Sequence, residues 1–262
     1  MAKIKTGIIQ FEVSLGNVSK NVEEITSRLE KMGEAGASLV VLPEMWATGF
    51  DYGNLSELSE NMDGVLEEIS NIAARRNLIV VGSLPEKTGE DKIYNTAYVI
   101  HKKDGIIGKY RKIHLFSLHK EDKYFKAGNE KLICDTDIGK IGIMICYDIR
   151  FPELARALAL GGAQILVVCA QWPAERIGHW LVLLRARALE NQVFCIGANT
   201  CGKDKKLQYG GTSVGYSPTG DVFMVAGDEP MSLVADIDLR EIDKFRELIP
   251  CFKDRVPEAY DV

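Results

Sequence analysis

IGIMICYDIRFPELARALALGGAQILVVCA, residues 141–170, contains two apolar runs separated by a segment of helix length. The runs Ile141–Ile145 and Ile165–Cys169 have the length and composition of buried strands. Pro152 is acceptable in the first turn of a helix, so the segment between the runs predicts a helix over Pro152–Leu160. A strand–helix–strand unit of this kind indicates an α/β protein.

The same alternation extends toward the N-terminus. Five apolar residues recur at spacings of 4, 3, 4 and 3 and predict one apolar stripe on a helix that Asn17 caps. These residues are Val18, Val22, Ile25, Leu29 and Met32. The dipeptide Asp104-Gly105 predicts a hairpin turn. The other elements predicted in this half are the strands Ile4–Phe11, Ser38–Leu42, Leu78–Leu84, Asn95–His101 and Ile106–Tyr110 and the helix Val65–Arg76.

The C-terminal half shows the same alternation of strands and helices and completes the fold prediction. Its further elements are the helix Ile177–Asn191, the strands Val193–Asn199, Thr212–Tyr216, Val222–Val225 and Met231–Ile237, and a short last helix. More than about ten strands exceed what one open sheet usually carries. We therefore predict a single domain over residues 1–262 with two stacked mixed β-sheets and helices outside, a four-layer αββα sandwich.

Composition excludes several classes of protein. The 262 residues are 46% hydrophobic and 26% charged, typical of a globular domain and not of a disordered, collagenous or coiled-coil chain. The formal net charge of −5 argues against nucleic acid or an anionic membrane as the primary partner. The longest apolar run, Ile165–Ala170, is far below the roughly 18–20 residues of a membrane helix.

The six cysteines favour a reducing compartment. They form no CxxC pair and lie near no histidine cluster, so the sequence predicts neither a metal site nor a disulfide framework. The first residues reach Gln10 and Glu12 too early to contain the apolar part of a signal peptide. We therefore expect a cytoplasmic location.

Three polar residues follow predicted strands, where reactive groups gather in α/β proteins. Glu44 follows the strand that stops at Pro43, Cys146 follows Ile141–Ile145, and Lys112 follows the second hairpin strand. Taken singly, each has an ordinary explanation as a solvated charge or a small buried side chain.

Together the three residues form a chemically complete set. A thiol has a pKa near 8.5 and needs a base to become a nucleophile, and Glu44 can be that base. Lys112 can stabilise an oxyanion, with the backbone N–H of Tyr147 as a second donor. A cysteine–histidine arrangement stays open, because His114 and His119 follow Lys112 closely.

At these residues the sequence resembles the nitrilase superfamily of carbon–nitrogen hydrolases, which use a Glu–Lys–Cys triad. The matching segments occur in the family's order and are Leu42–Phe50, Lys109–Phe116 and Ile145–Glu153. The resemblance implies the αββα fold and assembly into homodimers or larger homo-oligomers. It also implies Glu44 as general base, Lys112 as oxyanion-stabilising residue, Cys146 as nucleophile and Glu121 as a second catalytic glutamate.

Within the superfamily, the bacterial omega-amidase-like branch looks most similar. Its features are Gln171–Arg176, His179-Trp180, Arg185–Gln192 and Gly197–Thr200. The resemblance implies hydrolysis of the terminal amide of small 2-oxo acid amides such as 2-oxoglutaramate. A substrate carboxylate needs a cation, for which Arg176 is the candidate, and Trp172 is the candidate pocket wall.

The predicted activity is amide hydrolysis through a thioester on Cys146, without a metal or organic cofactor. One alternative is another branch of the superfamily, an N-carbamoyl amidohydrolase, a deaminated-glutathione amidase or a nitrilase. A second alternative is a catalytically silent module that uses the sandwich only to oligomerise.

Overall fold

Two six-stranded sheets stack face to face in the computed structural model, which describes residues 3–89, 92–204 and 207–259. The predicted domain 1–262 therefore includes termini that lie outside the described residues. The strands are β1 (Ile4–Gln10), β2 (Leu39–Val41), β3 (Ile79–Thr88), β4 (Lys92–His101), β5 (Gly105–Arg111), β6 (Ile133–Thr136), β7 (Gly139–Ile145), β8 (Ile165–Ala170), β9 (Phe194–Asn199), β10 (Val214–Tyr216), β11 (Val222–Val225) and β12 (Met231–Ile237). The helices are α1 (Val18–Glu34), α2 (Leu55–Glu60), α3 (Met62–Arg76), α4 (Glu121–Tyr124), α5 (Pro152–Leu160), α6 (Ile177–Asn191) and α7 (Arg240–Leu248).

Both sheets are mixed, as predicted. The first has the order β12-β1-β2-β3-β4-β5, in which β1, β2 and β3 are parallel and the other pairs antiparallel. The second has the order β11-β10-β9-β8-β7-β6, in which β7, β8 and β9 are parallel. The parallel strands occupy the middle of each sheet, so their carboxyl ends lie close together.

The core lies on both faces of the first sheet. Val41, Val81 and Ile143 belong to one buried cluster that joins the two sheets. The neighbouring Val40 and Val80 face the other way and pack with the helices α1 and α3. The helices α5 and α6 cover the second sheet. This arrangement confirms the four-layer αββα sandwich.

Local signals explain where several elements begin. The Asn17 side chain caps α1 by accepting a hydrogen bond from Lys20 N at 3.2 Å. Pro152 is in the first turn of α5. Gly105 has a φ of +67° in the hairpin turn between β4 and β5. Within the described ranges, every helix is too short or too polar to cross a bilayer.

The short elements α2, α4 and β6 were not predicted from the sequence. The helix α2 has six residues, and β6 has four residues at the edge of the second sheet. Elements this short contain too few residues for a period to be recognised.

Candidate active site

Glu44 lies where the two sheets meet at the carboxyl ends of their parallel strands. It comes three residues after the end of β2, and its backbone N–H donates to the carbonyl of Ala170, the last residue of β8, at 3.3 Å. The next residue, Met45, has a φ of +46° and donates its N–H to Ser83 Oγ at 2.8 Å. This strained turn holds the fully buried Glu44 between the sheets.

The Glu44 carboxylate accepts hydrogen bonds from three groups. Its Oε1 accepts from Lys112 Nζ and from Asn95 Nδ2, both at 2.8 Å. Its Oε2 accepts from the backbone N–H of Gln171 at 3.1 Å. The Gln171 side chain in turn donates to the Glu44 carbonyl at 2.8 Å. Both the carboxylate and its backbone are therefore held in place.

Lys112 follows the last residue of β5 and is fully buried. Its Nζ forms ion pairs with Glu44 and with Glu121, each at 2.8 Å. Burial acts to lower the pKa of Lys112, but the negative charges of Glu121 and Glu44 outweigh it and hold that pKa well above its usual value. The lysine is therefore a permanent cation between two carboxylates.

Glu121 is the first residue of α4 and is buried in spite of the charged residues around it in the sequence. Its Oε2 also accepts a hydrogen bond from the backbone N–H of Phe116 at 3.1 Å. Burial raises the pKa of the Glu121 carboxyl above its usual value, although the charge of Lys112 opposes this. The structure thus brings Glu121 to the same lysine as Glu44.

Cys146 follows the end of β7 in a left-handed conformation, with a φ of +46°. A single 3₁₀ turn over Cys146–Arg150 then leads into α5. Such a conformation is strained for a residue with a side chain and is often found at functional sites. Burial and the negative charge of Glu44 raise the pKa of the Cys146 thiol well above its usual value. The resting side chain is therefore a thiol and needs a base.

A cavity of 490 Å³ gives access to this cluster. Glu44, Glu121 and Cys146 line it together with Tyr147. Six further aromatic side chains line the cavity, those of Phe50, Tyr52, Phe116, Tyr124, Trp172 and Tyr209. Its size is that of a small-molecule site, and its lining combines aromatic side chains with charged groups such as Arg150 and Arg176.

Trp172, predicted as a pocket wall, and Arg176, predicted as the partner of a substrate carboxylate, both line the cavity. Trp172 is buried and donates its ring N–H to the Arg176 carbonyl at 2.8 Å. The Arg176 guanidinium forms an ion pair with Glu175 at 2.6 Å. Its charge is thus partly compensated within the protein.

Of the four histidines, His119 alone lines the cavity. Burial and the charge of Arg176 lower the pKa of His119, so its ring is neutral at pH 7. The ring of His101 lies 2.7 Å from Asp104 and 3.4 Å from Asp137 near the β4–β5 hairpin. Glu44 is therefore a better candidate than any histidine for the base that deprotonates Cys146, because its charge acts directly on the Cys146 thiol.

No role was predicted from the sequence for Asn95, Gln171 or Arg150, although the last two lie in the family-like segments Gln171–Arg176 and Ile145–Glu153. Asn95 is the first residue of the predicted strand Asn95–His101 and lies within β4, whereas Gln171 follows β8, so a search of the residues that follow strands could have found only Gln171. Arg150 lines the cavity with its guanidinium 4.9 Å from the centre of the Trp172 ring. No group of three or more His, Cys, Asp or Glu suited to a metal ion occurs in the part of the chain that the structure describes.

Comparison with known sequences gives the class of this protein. A sequence profile of the carbon–nitrogen hydrolase family matches residues 5–247. The chain therefore belongs to the carbon–nitrogen hydrolase family, as its resemblance to the nitrilase superfamily predicted.

Individual relatives narrow this class to enzymes that hydrolyse amides. The 2-oxoglutaramate amidase of Bacillus subtilis (strain 168) is 39% identical over 255 residues, which cover 96% of this chain and 97% of that protein. An omega-amidase of Xenopus laevis is 35% identical over 276 residues, which cover 100% of this chain and 98% of that protein. The present chain is an amide-hydrolysing enzyme of this family.

A solved structure with the same fold contains a modified cysteine. A mutant of the amidase from Nesterenkonia sp. AN1 superimposes with a TM-score of 0.87 and 26% identity, covering 98% of this chain and 95% of that chain. In that structure the acetamide moiety of fluoroacetamide is covalently added to the active-site cysteine.

Proposed function

We propose that this enzyme is a cysteine amidohydrolase that converts the terminal amide of small 2-oxo acid amides, such as 2-oxoglutaramate, to the acid and ammonia. The observation that carries the proposal is the buried cluster of Glu44, Lys112 and Glu121 beside the Cys146 thiol at one cavity. The similarity to a 2-oxoglutaramate amidase over nearly the whole chain supports the substrate class.

In the acylation step, Glu44 takes the proton of the Cys146 thiol while Sγ attacks the amide carbonyl carbon. The negative charge that develops on the carbonyl oxygen is stabilised by Lys112 and by the backbone N–H of Tyr147. Glu44 then gives its proton to the amide nitrogen, the carbon–nitrogen bond breaks, and ammonia leaves. The acyl group remains on Cys146 as a thioester.

In the deacylation step, Glu44 takes a proton from a water molecule that attacks the thioester carbonyl. The second tetrahedral intermediate uses the same oxyanion donors and collapses to the free acid. The carbon–sulfur bond breaks, and the Cys146 sulfur recovers its proton from Glu44. Glu121 keeps Lys112 charged and oriented through both steps, which its ion pair with Nζ at 2.8 Å supports.

A substrate carboxylate has two arginines available in the cavity, Arg150 and Arg176. Arg176 is already paired with Glu175, whereas among the described residues Arg150 forms no ion pair with a carboxylate. The Arg150 guanidinium instead lies over the Trp172 ring and 3.3 Å from His179 Nδ1. We therefore assign Arg150 as the main partner of the substrate carboxylate and Arg176 as a secondary one.

The enzyme is further proposed to act as one domain that assembles into a homodimer or larger homo-oligomer. Two apolar side chains of α6, Val182 and Leu189, are 67% and 44% exposed, which supports a contact between copies of this helix. All six cysteines are free thiols, which supports a reducing, cytoplasmic location. Light scattering of the purified enzyme measures the predicted assembly.

The experiment that tests the activity is ammonia release from 2-oxoglutaramate beside asparagine, an N-carbamoyl amino acid and an aliphatic nitrile. We expect the 2-oxo acid amide to have the highest kcat/KM and the Cys146→Ala variant to be inactive. A faster N-carbamoyl compound or nitrile would select another branch of the family. Turnover that persists in Cys146→Ala would refute the cysteine mechanism.

A further inference from the structure

Asn95 contains an unpaired polar atom in the interior of the protein. The residue lies in β4, is fully buried, and donates its Nδ2 to Glu44 Oε1 at 2.8 Å. Its side-chain oxygen Oδ1 has no hydrogen-bond partner among the residues that the structure describes. A buried carbonyl oxygen without a partner costs free energy, and natural proteins accept such costs mainly at functional sites.

The orientation of the Asn95 amide follows from the charge of Glu44. If the amide were turned by half a revolution, Oδ1 would face Glu44 Oε1, and two acceptors would meet without a proton between them. The observed orientation gives the carboxylate a donor and leaves Oδ1 unpaired. Asn95 is therefore held for its contact with an ionised Glu44.

The hydrogen bonds of Glu44 distinguish its two oxygens. A carboxylate has about four acceptor positions, two on each oxygen. Lys112 and Asn95 occupy both positions on Oε1, whereas among the described residues the backbone N–H of Gln171 is the one N–H group that donates to Oε2. A proton that arrives on Glu44 consequently finds one free acceptor position, and it lies on Oε2.

We propose that Asn95 is a positioning residue that directs proton transfer between Cys146 and Glu44 to the single oxygen Oε2. This inference rests on the proposed role of Glu44 as general base. The proton that Oε2 takes from the thiol is then the one it gives to the departing ammonia, so the same oxygen faces both partners. Without Asn95, Oε1 offers a second acceptor position that points toward β4.

The hydrogen bond from Asn95 to Glu44 also predicts how the activity of the enzyme depends on pH. A hydrogen bond donated to a carboxylate favours its ionised form, so we expect loss of the Asn95 donor to move the acid limb of the activity profile to higher pH. The other ionisable groups whose charges interact with Glu44 are Lys112, Glu121, Cys146, Cys169, Tyr52, Tyr209 and His119. None of their side chains is hydrogen-bonded to the Asn95 side chain in the described structure, so a change in the Asn95 variant reports this one contact.

The test compares Asn95→Leu with the wild-type enzyme in pH profiles of kcat/KM for 2-oxoglutaramate and of Cys146 alkylation by 2-chloroacetamide. We expect kcat/KM at neutral pH to fall about tenfold or more and the acid limbs of both profiles to move up by about one pH unit. Alkylation of Cys146 is followed by mass spectrometry of its own peptide.

Thr96→Val is the matched control, because Thr96 is the next residue of β4, is equally buried, and directs its hydroxyl to Glu86. It should leave both acid limbs unchanged. If Asn95→Leu does not fold, Asn95→Val carries the same expectation with a side chain that suits a strand. A folded variant whose acid limbs stay in place overturns the proposal, whatever its activity. Activity in Cys146→Ala would instead overturn the proposed function itself.

Discussion

The Asp148 carboxylate accepts two hydrogen bonds from His114, one from the backbone N–H at 3.1 Å and one from ring Nδ1 at 2.8 Å. Its other oxygen accepts from the Tyr110 hydroxyl at 2.7 Å and from the backbone N–H of Ile145 at 2.9 Å. Tyr110 and His114 flank Lys112 at a distance of two residues, and Ile145 precedes Cys146. The buried Asp148 therefore joins the segment that carries the lysine to the segment that carries the cysteine.

Replacement of the Asp148 carboxylate should slow amide turnover, which needs stabilisation of the oxyanion, more than it slows alkylation of the Cys146 nucleophile. An Asp148→Asn side chain turns an N–H₂ group toward at least one of the backbone N–H donors, which leaves buried donors unpaired at a cost of about 1–3 kcal/mol. We expect amide turnover to fall by about tenfold to a hundredfold. Alkylation of Cys146 by 2-chloroacetamide, which forms no oxyanion, should slow much less.

Tyr110→Phe is the control for Asp148→Asn, because it removes only one of the four hydrogen bonds to Asp148. The backbone N–H of Ile113 loses only the long hydrogen bond of 3.4 Å that it donates to the Tyr110 hydroxyl. The turnover of Tyr110→Phe should lie between that of the wild type and that of Asp148→Asn. Equal losses of turnover and alkylation in Asp148→Asn would mean that Asp148 supports the cysteine itself.

The sequence predicted long elements well because their boundaries have local causes. The helices over Pro152–Leu160 and Ile177–Asn191 and the strand Met231–Ile237 have the predicted bounds. Pro152 begins the first of these helices, and Gly161 ends it. Such signals act within one turn of the chain, so they can be read without the tertiary structure.

The predicted site residues came from two sources, the residues that follow strands and, for Glu121, the resemblance to the nitrilase superfamily. Glu44, Lys112 and Cys146 were found because they follow strands, and the structure brings all three to one place. Asn95 was not found, because its role depends on a contact with a residue 51 positions away. Arg176 was the arginine predicted from the sequence, whereas its ion pair with Glu175 depends on side-chain geometry that the sequence does not show.

The raised pKa of Cys146 predicts a strong pH dependence in a variant without the base. At neutral pH the folded enzyme holds the thiol, because burial and the charge of Glu44 raise its pKa well above its usual value. Burial, the larger cause, remains in Glu44→Gln. Its alkylation rate should therefore rise about tenfold per pH unit through the neutral range as the thiolate fraction grows, whereas the wild type should change little.

This measurement is made with Cys251→Ser as the background, because Cys251 is an exposed free thiol that also reacts. Cys146→Ala in the same background gives the rate of the other cysteines. A pH-independent alkylation rate in Glu44→Gln, equal to that of the wild type, would remove Glu44 as the base for this thiol.

The two cavity arginines should differ in their effect on charged substrates. Because Arg176 is compensated by Glu175 and Arg150 is not paired with a carboxylate in the described structure, Arg150→Gln should raise KM for 2-oxoglutaramate about tenfold to a hundredfold. Arg176→Gln should raise it by a smaller factor. Initial rates over a range of substrate concentrations measure both effects.

An uncharged primary amide such as butyramide is the control substrate for these variants. Its KM should be similar in the wild type, Arg150→Gln and Arg176→Gln, since it offers no carboxylate to either guanidinium. A larger effect of Arg176→Gln on 2-oxoglutaramate would reverse the assignment, and equal losses on both substrates would indicate damage to the cavity.

Gly128 supports the position of Lys112 through a close approach of two backbones. Its N–H donates to the Lys112 carbonyl at 2.8 Å, and a Cβ at this position would lie 2.2 Å from the Arg111 carbonyl oxygen. Gly128→Ala must therefore push the segment of Lys112 away, which should lower the free energy of unfolding by about 1–3 kcal/mol and reduce turnover.

Gly64→Ala is the matched control, because Gly64 lies in α3 with open space around its Cβ position. It should keep full activity and gain up to about 1 kcal/mol from the better helix propensity of alanine. Denaturant unfolding and ammonia release measure both variants, and a Gly128→Ala enzyme as stable and active as the wild type would show that this approach does not position the lysine.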